Sequence, residues 1–451
     1  MRLRSLGNTA GNAPAGLLLF LVAYAAGLAF LLPKLTLWLD EVLTLIGAVK
    51  PDLLSLLSYS RTTPGATPLA FLVPRWTIHL LGYSVFSARL SSALSSLAAC
   101  VAIFILGRRL NLRAPLLAVM VFALCPLQFR YALEARPYSL ALCLSAWSTV
   151  VFFSLRDHPR SSLRALLYGA LAITGAFSVA FTLFVPAAHA IWAARNESRR
   201  LLAICVGSVA AAGLALIPWY RYVREGWDVG IAVQRLGSVI DWHSVSVIFH
   251  ELTGMGYGGT LFMLVIAGWG ASRMARLRGF WIAYVLLPAV FVVAGDFVFH
   301  YFLAVRQMIF LLAPLALLFI AGTESLGRFG NLLTVVFLGV SLYADVNWIA
   351  KPREDWQAAA AVAADPASQG ACVKFIPVDA EMLYVFFRPE LVAKKCTPDR
   401  FAGSDAVVLA INPYGPSEQV RQAVGELTAR GLTKKSARNF NGPEVQFFGR
   451  P

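Results

Sequence analysis

Two adjacent carboxylates, Asp40 and Glu41, follow Leu37-Trp38-Leu39 in the chain. Charge beside an interfacial tryptophan is costly and marks a place where it is used. An ionised carboxylate there can take a proton from a hydroxyl, which is the work of a general base. The competing reading is that both acids offset the dipole at the start of the helix that follows. A second group is Gln128-Phe-Arg-Tyr-Ala-Leu-Glu-Ala-Arg-Pro-Tyr-Ser139, which concentrates Arg130, Glu134 and Arg136 in one short turn. Pro137 favours a helix start, and a helix N-terminus beside Arg136 is suited to a phosphate. Against this stands interfacial snorkelling by Arg136 with Glu134 as its ion-pair partner. A third group, Phe299-His300-Tyr301 followed by Arg306 and Pro314, places another cation at a helix start beside an imidazole and a phenol. His300 reads more simply as a hydrogen-bonded interfacial histidine than as a metal ligand. No His, Cys and carboxylate cluster has metal-ligand spacing, so no cofactor is assigned and a divalent ion is left without a ligand set. Gly254-Met-Gly-Tyr-Gly-Gly259 lacks the strand-turn-helix setting of a nucleotide loop and reads as close helix packing.

The elements that hold these groups follow from composition. Of 451 residues, 58% are hydrophobic and 14% charged, with mean hydropathy +0.66. A soluble globule, in which about a quarter of residues are charged, is excluded. The net charge of +15 would suggest nucleic acid in a soluble chain. Here it falls mostly in alternate gaps between apolar stretches of about 20 residues, the length that crosses a bilayer. Arg108, Arg109 and Arg113 form one cluster, Arg156, Arg160 and Arg164 a second, Arg195, Arg199 and Arg200 a third, and Arg273, Arg276 and Arg278 a fourth. The positive-inside rule places these clusters and the N-terminus in the cytoplasm, which makes the surplus mostly a signal of topology, and no nucleic-acid partner is expected. The uncharged run between Arg164 and Arg195 has Arg clusters at both ends. A single crossing would put one cluster outside, so two short helices turning near Phe177 and Ser178 are expected, for about eleven passes in all. Residues 1–350 then form the membrane core, with a first outer loop at 34–88. Residues 351–451 form an extracytoplasmic α/β domain, with strands expected at 372–376, 406–411 and 444–448 and helices at 379–387 and 417–430. In that compartment Cys372 and Cys396 have two readings, a disulfide or two ordinary thiols.

Trp38-Leu-Asp-Glu41 after the first helix, Thr67-Pro-Leu69, Arg89-Leu-Ser-Ser-Ala93, Tyr131-x-x-Glu-Ala-Arg-Pro-Tyr138 and Arg306 before Pro314 occur in that order. Their order and topology resemble the GT-C fold glycosyltransferases, in particular the bacterial family 39 group related to protein O-mannosyltransferases and lipid A aminoarabinose transferases. The resemblance covers about 14–350 and the tail from Arg353-Glu-Asp-Trp356. It implies an inverting glycosyltransferase of the bacterial inner membrane. Such an enzyme passes a hexosyl or pentosyl unit from a polyprenyl-phosphate donor to an acceptor hydroxyl of a glycan, lipid or protein on the extracytoplasmic face. Carried over, Asp40 is the base and Glu41 assists it. Arg136 and Arg306 hold the lipid phosphate, Arg89 and Tyr138 are weaker candidates for it, and Glu134, Tyr131, His300 and Tyr301 support them. Many relatives carry an acid or histidine before a Pro-Pro-Leu in the first loop, where this chain reads Thr-Thr-Pro-Gly-Ala-Thr-Pro-Leu over 62–69. That departure leaves donor identity and metal dependence open. Two other functions fit the same charges: a lipid or polysaccharide transporter, and a non-catalytic relative.

Overall fold

The computed structural model describes residues 13–63, 67–224, 242–299 and 304–451. They divide into two compact units, one of residues 1–33 and 51–349, the other of residues 34–50 and 350–451. The segment 34–50, expected to belong with the rest of the first outer loop, thus folds with the tail.

The first unit is helical. It begins with α1 (Ala13–Leu31) and, after the segment α2 (Leu39–Ala48) given to the other unit, continues with α3 (Leu53–Arg61), α4 (Pro68–Leu81) and α5 (Val85–Arg109). Next come α6 (Pro115–Ala123), α7 (Pro126–Ala132), α8 (Tyr138–Asp157), α9 (Ser162–Ser178), α10 (Phe184–Asn196) and α11 (Arg199–Arg224). The unit closes with α12 (Trp242–Glu251), α13 (Gly256–Arg273), α14 (Arg278–Phe299), α15 (Leu312–Ser325) and α16 (Gly327–Ala350). Seven described helices are long and apolar enough to cross a membrane, nine spans if two bent pairs each count as one. The first bent pair is α6 with α7, turned by 68°. Pro126 opens α7 and cannot continue the ladder of α6, so the chain breaks there. The second is α12 with α13, turned by 75°. Gly254 and Gly256 supply the positive φ values of that break, 74° and 73°. The glycine run therefore makes a bend as well as a close approach, since a Cβ on Gly254 would lie 2.8 Å from Pro126.

The expected hairpin is present as α9 and α10, joined by a short 3-10 turn at Ala180–Leu183. Arg156 at the end of α8 pairs with Glu197 after α10 at 2.6 Å, so the chain goes out and returns to the same end. Arg109 pairs with Asp157 at 2.9 Å, and Arg200 donates to the Arg160 carbonyl at 3.5 Å. Three Arg clusters thus share one end of the bundle, and with the shorter apolar helix α9 the number of passes roughly matches the one read from charge. α13 and α15 cross at small residues: a Cβ on Gly270 would sit 1.9 Å from the Leu318 carbonyl oxygen. Such close crossings are how helices pack where lipid removes the hydrophobic drive.

The second unit joins α2 to α17 (Trp356–Ser368), β1 (Cys372–Ile376), α18 (Ala380–Phe387), α19 (Pro398–Gly403), β2 (Ala406–Ile411), α20 (Ser417–Ala429), β3 (Thr433–Asn439) and β4 (Glu444–Gly449). The sheet order is β1-β2-β4-β3, with β1 and β2 parallel and the other pairs antiparallel. Strand β3 escaped the sequence pattern because every one of its residues is exposed, leaving no apolar alternation to read. Cys372 and Cys396 form a disulfide, with Cα atoms 5.0 Å apart. It pins the chain after α18 to β1, where Cys396 also donates its amide to the Val373 carbonyl at 2.9 Å.

Candidate active site

In the helical unit the site is built around the turn between α7 and α8. Pro137 caps α8 without a side-chain hydrogen bond, which leaves the first amides of that helix free of a side-chain acceptor from the cap. The turn is fixed from two sides, and one of its anchors is itself held in place. Ser92 of α5 donates to the Arg136 carbonyl at 3.1 Å, and Ser178 at the end of α9 donates to the Pro137 carbonyl at 3.1 Å. Thr67, ahead of α4, donates to the Ser178 carbonyl at 2.5 Å.

Held this way, Arg136 donates from Nη2 to the Tyr138 hydroxyl at 3.3 Å, its guanidinium 5.5 Å from the ring centre. Arg306, which follows Ala304 at the start of a 3-10 turn leading into α15, lies 6.0 Å from the same ring. Tyr131 meets Tyr138 edge-on at 4.7 Å. Glu134 is buried, and its charge acts on Tyr131 together with those of Arg306 and Arg136. Four of the expected residues, Arg136, Tyr138, Arg306 and Tyr131, therefore come together, with Glu134 beside them. The Ser139 hydroxyl in the first turn of α8 is buried with no hydrogen-bond partner among the described residues. Arg136 and Pro137 also line a cavity of about 10 Å³ with Leu69, Val73, Ser92 and Leu140, room for about one water. Two cations over one aromatic ring, beside a helix N-terminus, suit an anion with several oxygens, such as a phosphate.

Other residues fall elsewhere. Arg89 is fully buried and donates to the Leu32 carbonyl at 2.8 Å, fastening the end of α1. Arg130 lies 5.6 Å from the centre of the Trp348 ring of α16. His300 and Tyr301 lie outside the described residues. Tyr59 of α3 was not anticipated. Burial pushes its phenol well above the ordinary range, against a hydrogen bond with Thr63 and the positive charge of Arg136. Nothing in the local sequence of an amphipathic surface helix announces that neighbour. Among the described residues, no three His, Cys, Asp or Glu side chains group so as to hold a metal.

The carboxylates are carried by the second unit. Asp40 and Glu41 occupy the first turn of α2, Asp40 partly exposed and Glu41 fully buried. Thr44 donates to the Asp40 carbonyl at 2.9 Å. The amide of Leu39, the first of the helix, is taken by neither acid but by Glu354 at 2.8 Å.

A helical bundle of this order with a mixed α/β unit is the GT-C fold. No protein-family model matches the chain, and no curated protein matches it. Among solved structures it is similar to ArnT from Cupriavidus metallidurans in the apo state, with 14% identity, 96% of this chain and 98% of that one covered, and a TM-score of 0.60. It is similar to the same protein bound to undecaprenyl phosphate at a TM-score of 0.59 and 14% identity over the same shares of the chains. The Archaeoglobus fulgidus oligosaccharyltransferase, in complex with Zn and sulfate, follows at 10% identity and 0.52, with 87% of this chain and 68% of that one covered.

Proposed function

We propose that this protein is a membrane glycosyltransferase that moves a sugar from a polyprenyl-phosphate carrier to an acceptor hydroxyl on the extracytoplasmic face of the bacterial inner membrane. The observation that carries this reading is the convergence of Arg136 and Arg306 on Tyr138 beside the uncapped start of α8. The GT-C fold supports it, since ArnT of that fold has been solved with undecaprenyl phosphate bound. The disulfide in the tail fits an oxidising compartment, and the shared end of the Arg clusters fits the cytoplasm.

In the proposed reaction Asp40 takes the proton of the acceptor hydroxyl while its oxygen bonds to the anomeric carbon. The bond from that carbon to the phosphate oxygen breaks, with inversion, and the lipid phosphate leaves as an anion held by Arg136 and Arg306. Glu41 assists Asp40. The Tyr138 ring orients both arginines, Tyr131 and Glu134 back them, and Arg89 contributes by anchoring α1. Membrane lipids surround the donor; the acceptor is a glycan, lipid or protein hydroxyl.

The test uses the purified full chain in nanodiscs with a polyprenyl-phosphate sugar donor. Asp40→Asn should lower transfer by about 10²- to 10⁴-fold, the size of a lost general base, while donor binding is kept. Arg136→Ala should weaken donor binding by about 10- to 100-fold, the loss of a charge-assisted hydrogen bond. Wild-type transfer by Asp40→Asn would refute the assignment of the base, and movement of intact donor across the bilayer with no new glycosidic bond would sink the glycosyltransferase reading.

A further inference from the structure

Helix α2 starts without a cap of its own. Trp38 stands at the N-cap and has no side-chain oxygen to offer the first-turn amides, as serine or aspartate would. A ten-residue helix with an open first turn frays there, and its first turn holds Asp40 and Glu41. The missing acceptor comes from far along the chain. Glu354, 315 residues beyond Leu39, accepts from the Leu39 amide with Oε2 at 2.8 Å. The same oxygen accepts from the Trp356 indole at 2.8 Å, and Oε1 accepts from the Tyr414 hydroxyl.

All of these residues lie within the second unit. Glu354 is only 9% exposed, so its carboxylate is affordable there only because both oxygens are bonded. Its anchors are themselves rigid. Trp356 is fully buried at the start of α17, whose cap Asp355 accepts from the Ala358 amide at 2.9 Å. The Asp355 amide donates to the Phe440 carbonyl at 3.0 Å. Behind Glu354, Gly442 of the loop between β3 and β4 comes so near that a Cβ there would lie 3.0 Å from the Glu354 Cγ. A carboxylate fixed on three sides and aimed at one helix terminus does more than fill the interior of the unit.

We infer that Glu354, held by Tyr414 and Trp356, is the positioning residue for the Asp40 carboxylate, because it caps from the tail the turn of α2 on which Asp40 rides. The inference rests on the reading of Asp40 as the base. A carboxylate on a frayed turn wanders by an ångström or more, and misplacement of that size costs about 10²-fold in rate without touching substrate affinity. Glu354 touches no reacting atom in this scheme and acts through Asp40 alone.

The experiment compares Glu354→Leu, Glu354→Gln and Tyr414→Phe with Asp40→Asn, all as full chains in nanodiscs. Two quantities are measured: kcat and KM for transfer, and hydrogen exchange of the peptide covering residues 34–50. Glu354→Leu should lower kcat by about 10- to 100-fold with KM for the donor unchanged, and should speed exchange in that peptide. Glu354→Gln keeps an acceptor oxygen for the Leu39 amide and should recover most of the rate. Tyr414→Phe should fall between the two, and it decides the matter together with Glu354→Gln if the leucine variant does not fold. Wild-type kcat in Tyr414→Phe and Glu354→Leu, or equal loss in the Gln and Leu variants, overturns the inference, as does unchanged exchange over 34–50. Full activity in Asp40→Asn refutes the base instead, and the exchange measurement then still decides whether Glu354 holds the turn.

Discussion

Tyr138 presents one ring to two guanidiniums and one hydroxyl to the nearer of them. These contributions separate by substitution. Tyr138→Phe keeps the ring and loses only a 3.3 Å hydrogen bond, so donor affinity should stay within about threefold of wild type. Tyr138→Leu removes both cation contacts, each worth about 0.5–1 kcal/mol, and should weaken donor binding by about 5- to 30-fold. Titration of each variant with labelled donor lipid checks the order; equal loss in both would mean that the hydroxyl, not the ring, organises the arginines. At this scale the sequence was informative where chemistry is local. Arg136, Pro137 and Tyr138 are neighbours in the chain, and the helix start that makes them useful is written in the proline. Glu354 stood in plain view in Arg353-Glu-Asp-Trp356, yet its partner is 315 residues away and no local signal points there. Tyr59 is hidden in the same way, since only folding brings it under the charge of Arg136.

Among elements, those governed by lipid or by charge were readable. The α9 and α10 hairpin followed from Arg clusters at both ends of one apolar run, and the ion pair of Arg156 with Glu197 closes it. The crossing of α13 with α15 was not readable, because glycines in an apolar helix do not say which neighbour they face. Its geometry makes a sharp prediction. At Gly270 an added Cβ would lie 1.9 Å from the Leu318 oxygen, and on Gly322 2.3 Å from the Ile266 oxygen, all of it backbone that cannot swing aside. Gly270→Val should destabilise the fold by at least about 1–3 kcal/mol, seen as a lower thermal midpoint of the protein in detergent. The same substitution at Gly268, whose Cβ would meet nothing within 4 Å, should leave the midpoint near wild type. In the tail, strands rich in buried apolar residues were found from sequence, whereas β3, with Lys434, Lys435 and Arg438, offered no apolar alternation to read. Pairing with β4 makes it a strand in spite of its composition.

For the whole molecule, the division between units does not follow the order of the chain. The carboxylates Asp40 and Glu41 belong to the unit formed by the tail, while Arg136 and Arg306 belong to the bundle. The tail carries its own covalent brace, Cys372 to Cys396, which closes a loop of 24 residues. Removing it with Cys372→Ser should cost the tail about 3 kcal/mol by the loop-closure argument. Peptide mapping without reductant should recover the two cysteines linked, and limited proteolysis should cut the serine variant first in 350–451. The folding of 34–50 with the tail also bears on synthesis. Segment 34–50 leaves the ribosome when Glu354, Tyr414 and α18 do not yet exist, and every span of the bundle after α1 is made in between. A chain stopped before residue 350 carries Asp40 on a helix whose terminal amide has no acceptor from the tail. A segment made after the bundle thus supplies the acceptor at the start of α2, so that, with Asp40 in the proposed role of base, the order of translation sets the moment at which its turn is fixed.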